Sequence, residues 1–283
     1  MMKVSIIAWE KDLAGMNIVN SLKSIINFDE ERLSMKVGNT EVKLRLSSNL
    51  MDVYIVDKDT VFLDNIDELV ANYKALIFAS RHESKSRKPI ISIHVPGNLY
   101  GEAKLGGRPW SLCLAHGALM MSIFKSMCTL FQDSDICSNR WDCCYEATHH
   151  GPYIESIPTL YIEIGSSEIE WRNEEAAEIL ARALVEGVQK SVKDESVVGI
   201  SGLHYAIVLS RRCVERNLPL GHVIPRYVFE NINGDEVIKL IDVVMARSIG
   251  FKGFVMERKA LKSKDKKTLL NLLEERKINI IKV

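Results

Sequence analysis

The sequence predicts an α/β fold, a three-layer sandwich in which a largely parallel central sheet lies between helical layers. Two observations lead to this prediction. Short apolar runs rich in Ile and Val alternate along the chain with helical patterns of about 12 to 20 residues, as in proteins built from β-α-β units. The 7 prolines and 16 glycines are spread out and form no linker, so we expect a single α/β domain over residues 1–283.

The first half of the chain alternates strands and helices. Residues 4–8 form a β-branched run typical of a buried strand, and Asp12 can cap the next helix, whose apolar residues recur at helical spacing. Further elements are predicted as strands at residues 41–46, 52–56, 75–79 and 90–95, and as a long helix at residues 111–130. His116 falls inside that helix and is interpreted as a core histidine.

The second half continues the alternation. Strands are predicted at residues 160–164, 197–200 and 278–283, and helices at residues 174–192, 205–216, 237–246 and 263–276. Asn173 is expected to cap the first of these helices. Because ligands of parallel sheets bind beyond the carboxyl ends of the strands, we expect the functional site at that edge.

Composition excludes several classes of protein. Lys and Arg total 37 and so do Asp and Glu, so bulk positive charge does not hold this chain to nucleic acid, although a local basic patch remains open. The apolar run at residues 112–121 is shorter than the roughly 20 residues of a membrane span. Six cysteines form no disulfide framework, and the first residues do not resemble a signal peptide. We expect a cytoplasmic monomer without a protein partner.

Motifs of common enzyme classes are absent from the sequence. It contains no GxGxxG, GxxxxGK[ST], HExxH or GxSxG, which disfavours the usual dinucleotide dehydrogenases, kinases, zincins and serine esterases. A basic run extends from Arg258 to Lys267 with one acid, Asp265. We interpret this run as a solvated helix face, with a phosphate-contacting patch as the sharper alternative.

Three segments concentrate residues that could carry chemistry. The first joins SRHESKS (residues 80–86), which follows a predicted strand, to His94 and Asn98 on and after the next strand. The second is EATHHGP (residues 146–152). Adjacent histidines in an extended segment point to opposite sides, so we expect at most one to face a given site, and Glu146 needs a bend to meet His149. The third is Glu163, a carboxylate inside an apolar strand.

These motifs together resemble the archaeal and plant type of D-aminoacyl-tRNA deacylase. The resemblance rests on Ser80-Arg81-His82 with Ser84, Ile93-His94 with Gly97-Asn98, EATHHGP, Glu163-Ile164-Gly165-Ser166 with Glu168 and Trp171, His204-Tyr205-Ala206, and Gly221-His222 with Pro225. It covers nearly the whole chain in the same order, and EATHHGP is its most specific part.

The resemblance implies hydrolysis of the ester that joins a D-amino acid to tRNA, a zinc requirement, and a fold related to peptidyl-tRNA hydrolase and nucleoside phosphorylases. We expect catalytic roles for Glu146, His149, His150 and His82. Zn²⁺ ligands are expected among His94, His149 and His150. Substrate binding is assigned to Arg81, Ser84, Lys85, Arg87, Asn98, Glu163, His204 and His222.

Alternatives of other classes remain open at this point. A phosphorylase-like enzyme acting on nucleosides or nucleotides would use the His, Arg and Ser loops for phosphate, and would depend on added phosphate. A non-catalytic tRNA-binding module would bind without turnover. Within the deacylase interpretation, a metal-free route would use one histidine as base and backbone N–H groups to stabilise the oxyanion.

Overall fold

The computed structural model of this chain describes residues 3–283. In chain order its strands are β1 (Val4–Trp9), β2 (Asp29–Val37), β3 (Thr40–Ser47), β4 (Met51–Val56), β5 (Leu76–Glu83), β6 (Ile90–His94), β7 (Gly97–Asn98), β8 (Ser111–Leu112), β9 (Asp142–Tyr145), β10 (Thr159–Ser166), β11 (Ser196–Ser201), β12 (Leu220–Pro225), β13 (Phe251–Met256) and β14 (Ile280–Lys282).

Helices occupy most of the chain between these strands. They are α1 (Leu13–Ile25), α2 (Asp67–Val70), α3 (Gly117–Gln132), α4 (Asp135–Ser138), α5 (Glu168–Trp171), α6 (Glu174–Gln189), α7 (Ile207–Glu215), α8 (Arg226–Glu230), α9 (Gly234–Ala246) and α10 (Ser263–Glu275), with a 3₁₀ turn at Thr60–Phe62. Among the described residues, none of these helices has the length and apolar composition to cross a membrane.

The strands form two large sheets, which confirms the predicted α/β class. The larger sheet has the order β2-β3-β4-β1-β5-β10-β6-β9, and its centre, β4-β1-β5-β10, is parallel. A separate parallel sheet has the order β12-β11-β13-β14. β7 and β8 pair as a third, two-stranded sheet. The alternation of strands and helices predicts parallel strands but does not show that they divide between two sheets.

The central strands owe their burial to continuous apolar sequence. Every residue of β4 and β6 is buried, because helices or loops cover both faces of the larger sheet at these strands. No strand is predicted at β2, because its sequence, DEERLSMKV, is charged and lacks an apolar run. The strand lies largely exposed at the edge of the sheet. β9, β12 and β13 also lie outside the predicted elements.

The long helix predicted from residue 111 begins six residues later than expected. α3 starts at Gly117, and His116 is its N-cap, with Nδ1 accepting a hydrogen bond of 3.3 Å from the Leu119 backbone N–H. The interpretation of His116 as a core histidine inside the helix is therefore wrong. A Cβ atom on Gly117 would stand 2.1 Å from the carbonyl oxygen of Pro219, so the helix can approach the second sheet this closely only at a glycine.

Asp12 connects the first helix to the strand that carries the candidate site. It caps α1 as predicted, with Oδ1 accepting from Gly15 N at 2.9 Å. Its other oxygen accepts from Ser80 Oγ at 3.0 Å and from Arg81 N at 2.9 Å, on β5. Asp12 is buried, so these bonds satisfy a carboxylate that would otherwise be costly in the interior.

Replacing Asp12 should therefore cost more than the loss of a helix cap. We predict that Asp12→Ala lowers the free energy of unfolding by about 2–4 kcal/mol, measured by urea denaturation. Asn173→Ala is the matched control, because Asn173 caps α6 through one bond of 2.8 Å to Ala176 N and should cost about 1 kcal/mol. Equal losses in the two variants would show that the bonds to β5 contribute nothing.

Candidate active site

The candidate site lies on one face of the larger sheet. Side chains two residues apart on a strand share a face, so Tyr161 and Glu163 of β10 point the same way. Register pairs His94 of β6 with Tyr161 and His82 of β5 with Gly165, which brings both histidines to that face. Part of the site lies beyond the carboxyl ends of strands as expected, since residues 146–150 follow β9 and His204 follows β11. Glu163, in contrast, lies within β10, and β6 runs antiparallel to β10, so the site extends over the face of the sheet.

A segment that follows β9 covers this face and is held between the two sheets. Glu146 N donates to Ile93 O of β6 at 3.1 Å, and Ala147 N donates to His204 O, which follows β11, at 2.9 Å. Thr148 N donates to Val223 O of β12 at 2.9 Å. The second sheet therefore helps to position the EATHHGP motif over the first.

His149 and His150 face the same cluster, contrary to the expectation that they point to opposite sides. His150 adopts a left-handed backbone, with φ of 44°, so the segment is not extended there. The two ring centroids lie 4.2 Å apart. The chain also makes the bend that Glu146 and His149 need to meet, since His149 Nε2 is 3.9 Å from Glu146 Oε2.

Two buried carboxylates form the centre of the cluster. His82 lies between them, with Nδ1 3.3 Å from Glu146 Oε2 and 3.4 Å from Glu163 Oε2. On its other side, His82 Nε2 is 2.8 Å from the hydroxyl oxygen of Tyr205. His204 Nε2 makes a hydrogen bond of 3.0 Å with Glu146 Oε2.

The carboxylates and His82 stabilise one another's charged forms. Burial alone would lower the pKa of His82, but the negative charges of Glu146 and Glu163 outweigh it and raise that pKa to about 10. Burial likewise opposes ionisation of both carboxyls, yet His82 with His204 lowers the pKa of Glu146, and His82 with His94 lowers the pKa of Glu163. Two carboxylates thus share one imidazolium at their centre.

His149 and His150 are held as neutral imidazoles. Burial and the neighbouring histidines keep the pKa of His149 well below its usual range, and burial with His94 lowers the pKa of His150 to about 4. His149 Nδ1 lies 2.7 Å from Ala147 O and His150 Nδ1 lies 2.6 Å from Gly151 O. A carbonyl only accepts, so each Nδ1 carries the hydrogen and each Nε2 keeps a free lone pair.

This arrangement suits a metal cation. His94, His149 and His150 offer one nitrogen each within 4.8 Å of one another, as do the ligand atoms of Glu146, His149 and His204, and those of His82, Glu146 and Glu163. His94 is fully buried, and neither of its ring nitrogens makes a hydrogen bond within the described structure. Imidazoles that donate Nδ1–H to a carbonyl and present Nε2 are a common arrangement of metal ligands.

Two cavities meet at the histidine pair. The larger, about 470 Å³, is lined by His82, Glu163, His204 and Tyr205 together with His149 and His150. The smaller, about 150 Å³, lies across the pair, and its wall combines Leu99, Tyr100, Tyr227 and Val228 with the polar side chains of Asn98, Glu102 and Lys104. Glu146 and His94 lie beneath the surface of both.

The predicted substrate-binding residues divide into groups. Arg81 and Ser84 line the larger cavity, with Arg81 Nη2 2.9 Å from Asp59 Oδ2 and its guanidinium 5.1 Å from the centre of the Trp9 ring. β5 continues through Glu83, so Arg81 and His82 lie within the strand, not in a loop after it. Lys85 and Arg87 are exposed and do not line either cavity.

Asn98 and His222 have other surroundings. Asn98 lines the smaller cavity and donates through Nδ2 to Gly106 O at 3.0 Å, which orders the loop that carries Leu105. His222 is fully buried, and Nε2 lies 3.3 Å from Arg247 O. Its Nδ1 is 3.1 Å from Thr148 Oγ1, so His222 supports the histidine pair from below. Direct substrate binding by His222 is a wrong prediction, because burial separates it from both cavities.

Sequence reasoning missed several side chains that complete the site. Tyr205 contacts His82, and the hydroxyl of Tyr227 lies 3.3 Å from His204 Nδ1. Phe62 and Leu105, both exposed, form an apolar rim of the larger cavity. Tyr205 was detectable as the neighbour of His204, whereas nothing in the sequence places Phe62 and Leu105 beside these histidines.

Comparisons with known proteins agree on one family. A family profile described as "D-aminoacyl-tRNA deacylase" matches residues 69–281. A curated protein of that name from Methanosarcina barkeri is 32% identical over 286 residues, which cover 99% of this chain and 89% of the relative. Another from Pyrococcus horikoshii is 34% identical over 253 residues, covering 85% of this chain and 86% of the relative.

A solved structure shares the whole fold. The crystal structure of a conserved protein of unknown function superposes with a TM-score of 0.81 at 27% sequence identity. The match covers 99% of this chain and 95% of the solved one. Both sheets therefore belong to a fold that occurs in a crystal structure.

Proposed function

The chain belongs to the D-aminoacyl-tRNA deacylase family, and from that premise we propose that it hydrolyses the ester bond of D-aminoacyl-tRNA, releasing the free D-amino acid and tRNA. Enzymes of this name are hydrolases that act on ester bonds. The observation that carries the proposal is the cluster of two buried carboxylates and five histidines at the floor of an open cavity. An aminoacyl ester is already activated, so its hydrolysis requires only an activated water and stabilisation of the oxyanion.

Zn²⁺ is the cofactor that we assign to this cluster, with His94, His149 and His150 as its ligands. The fit rests on the ring nitrogens of His94, which make no hydrogen bond although Nε2 lies 3.5 Å from Glu163 Oε2, and on the free Nε2 lone pairs of the other two. Three protein ligands would leave a position for water or substrate. When bound, the ion would lower the pKa of its water towards about 7 and polarise the ester carbonyl.

Residues around the metal ligands would accept and donate the protons of the reaction. Glu146 Oε1 has no hydrogen-bond partner among the described residues, so it is free to accept a proton from the attacking water. His82 and His204 orient this carboxylate through its other oxygen. The hydroxyl of Tyr205 faces the larger cavity, where it can donate to a substrate oxygen.

The parts of the substrate on either side of the ester bond would occupy the two cavities. The larger cavity, with its apolar rim of Phe62 and Leu105, suits the terminal adenosine, and the smaller cavity, where Leu99 and Tyr100 offer apolar contacts, suits the amino-acid side chain. The histidine pair between them then lies at the ester carbon. If the ammonium and carbonyl groups are fixed, the side chains of the D- and L-amino acids point in different directions. A protein wall in the direction of the L side chain would therefore be sufficient for chiral selection.

The substrate also suggests where the protein acts. A tRNA substrate supports a cytoplasmic enzyme that removes D-amino acids from the translation supply. We also propose that the chain forms one domain and acts as a monomer.

Lys85 and Arg87 extend the rim of the larger cavity beyond Ser84 and Ser86, where they could contact tRNA phosphates.

The test of this function is release of amino acid from tyrosyl-tRNA in phosphate-free buffer. We expect the protein to release tyrosine from D-tyrosyl-tRNA at least a hundredfold faster than from L-tyrosyl-tRNA. A strict requirement for phosphate would instead support a phosphorylase, and tRNA binding without release would support a binding module. Either result would reject the deacylase proposal.

Zinc content of histidine variants tests the ligand assignment independently of activity. His149→Ala should lose most bound zinc, measured by elemental analysis after dialysis, because it removes one of three ligands. His116→Ala is the matched control, since His116 caps α3 and pairs with Asp194 at 3.3 Å, away from the cluster. A folded His149→Ala protein, checked by circular dichroism, that holds as much zinc as His116→Ala would contradict the assignment.

A further inference from the structure

A third cavity, with a basic wall, runs along α7 from Val208 to its C-terminal end. It measures about 560 Å³ and includes five cationic side chains, Arg212, Arg216, Arg258, Lys259 and Lys282. These residues come from three parts of the chain that the fold brings together, namely α7 with its C-cap, the segment after β13, and β14. We call this surface the basic groove.

Most of the positive charge of the basic groove is uncompensated. Within residues 3–283, Arg216, Arg258, Lys259 and Lys282 form no ion pair with a side chain, and all four are exposed. Arg212 alone is paired, with Nη1 2.9 Å from Glu215 Oε2. Cations that share a concave surface repel one another, so a multivalent anion would be bound favourably there.

The acidic side chain in the groove wall is directed at the backbone. Glu257 Oε2 accepts from Gly202 N and its Oε1 accepts from Leu209 N, each at 3.1 Å. Its charge is therefore largely satisfied by these donors instead of by the neighbouring cations. The same two bonds tie the groove to the segment that carries His204 and Tyr205.

Exposed apolar side chains connect the groove to the active site. Leu203 is 71% exposed and Val208, which also lines the groove, is 50% exposed. Because an α-helix rises about 1.5 Å per residue, Arg212 and Arg216 lie only about 8 and 14 Å along the axis from Ile207, the first residue of α7. An anion in the groove is thus within a few nucleotides' reach of Tyr205 in the active site.

We infer that the basic groove binds the phosphate backbone of the tRNA acceptor stem while the terminal adenosine occupies the active site. This inference rests on the proposed function and adds a docking surface on the second sheet, separate from Lys85 and Arg87. Exposed arginines and lysines are the usual partners of RNA phosphates, and the apolar side chains between groove and site can contact sugars and bases. Of the basic run that the sequence places at residues 258–267, only Arg258 and Lys259 line the groove and would contact phosphate.

The test compares two triple variants with equal loss of charge. Arg216→Ala, Arg258→Ala and Lys282→Ala together remove groove cations. Arg32→Ala, Lys36→Ala and Lys193→Ala remove exposed cations from β2 at the edge of the larger sheet and from the loop at the opposite end of β11. Binding of uncharged tRNA is measured over a series of salt concentrations, and hydrolysis is measured with D-tyrosyl-tRNA and with the D-tyrosyl ester of adenosine.

The groove variant should bind tRNA about tenfold more weakly or worse, and the slope of log affinity against log salt should become shallower by about 2 to 3, because up to three phosphate contacts are lost. Its loss of activity should be much greater on D-tyrosyl-tRNA than on the adenosine ester. Affinity and slope equal to those of the control variant would overturn the inference, and would leave an acidic protein as the ligand to examine.

Failure of the proposed function would look different. If the unmodified protein released tyrosine from neither substrate, the deacylase assignment would fail, while the binding comparison would still decide whether the groove holds tRNA.

Discussion

The site depends on the burial of two carboxylates, Glu146 and Glu163, against a single histidine. An unpaired carboxylate in a protein interior costs several kcal/mol, so both must find positive charge or strong donors. His82 Nδ1 lies 3.3 Å from Glu146 Oε2 and 3.4 Å from Glu163 Oε2, so one positive charge faces two negative charges. The remaining negative charge, set beside neutral imidazoles that present free lone pairs, is the physical reason to expect a cation here.

That cluster exists only because two sheets meet. The larger sheet supplies His82, His94 and Glu163 on one face, and the segment that carries Glu146 to His150 covers them. This segment is bonded to β6 on one side and to β12 and His204 on the other. His222, which lies beneath Thr148, and the close approach of α3 at Gly117 keep the second sheet at the right distance. The second sheet therefore positions the chemistry, although only His204 and Tyr205 reach the larger cavity from it.

Much of this could be predicted from sequence, and the failures have physical causes. The apolar runs of β1, β5, β6 and β10 and the cap at Asp12 follow from local patterns, so the α/β class was accessible. The pairing of His149 with His150 in one site was not, because it depends on a left-handed backbone at a non-glycine residue that tertiary contacts impose. Burial of His222 and the division into two sheets are likewise long-range properties. The basic groove shows the same limit, because its cations come from segments that are distant in sequence.

The most direct test of the central claim, that buried carboxylates and neutral imidazoles form a zinc-dependent hydrolytic centre, is anomalous diffraction at the zinc absorption edge. Crystals should be grown from protein that is active on D-tyrosyl-tRNA and contains only the metal it was purified with. The account predicts an anomalous peak at the group formed by His94, His149 and His150. Active crystals without a peak at these residues would contradict it.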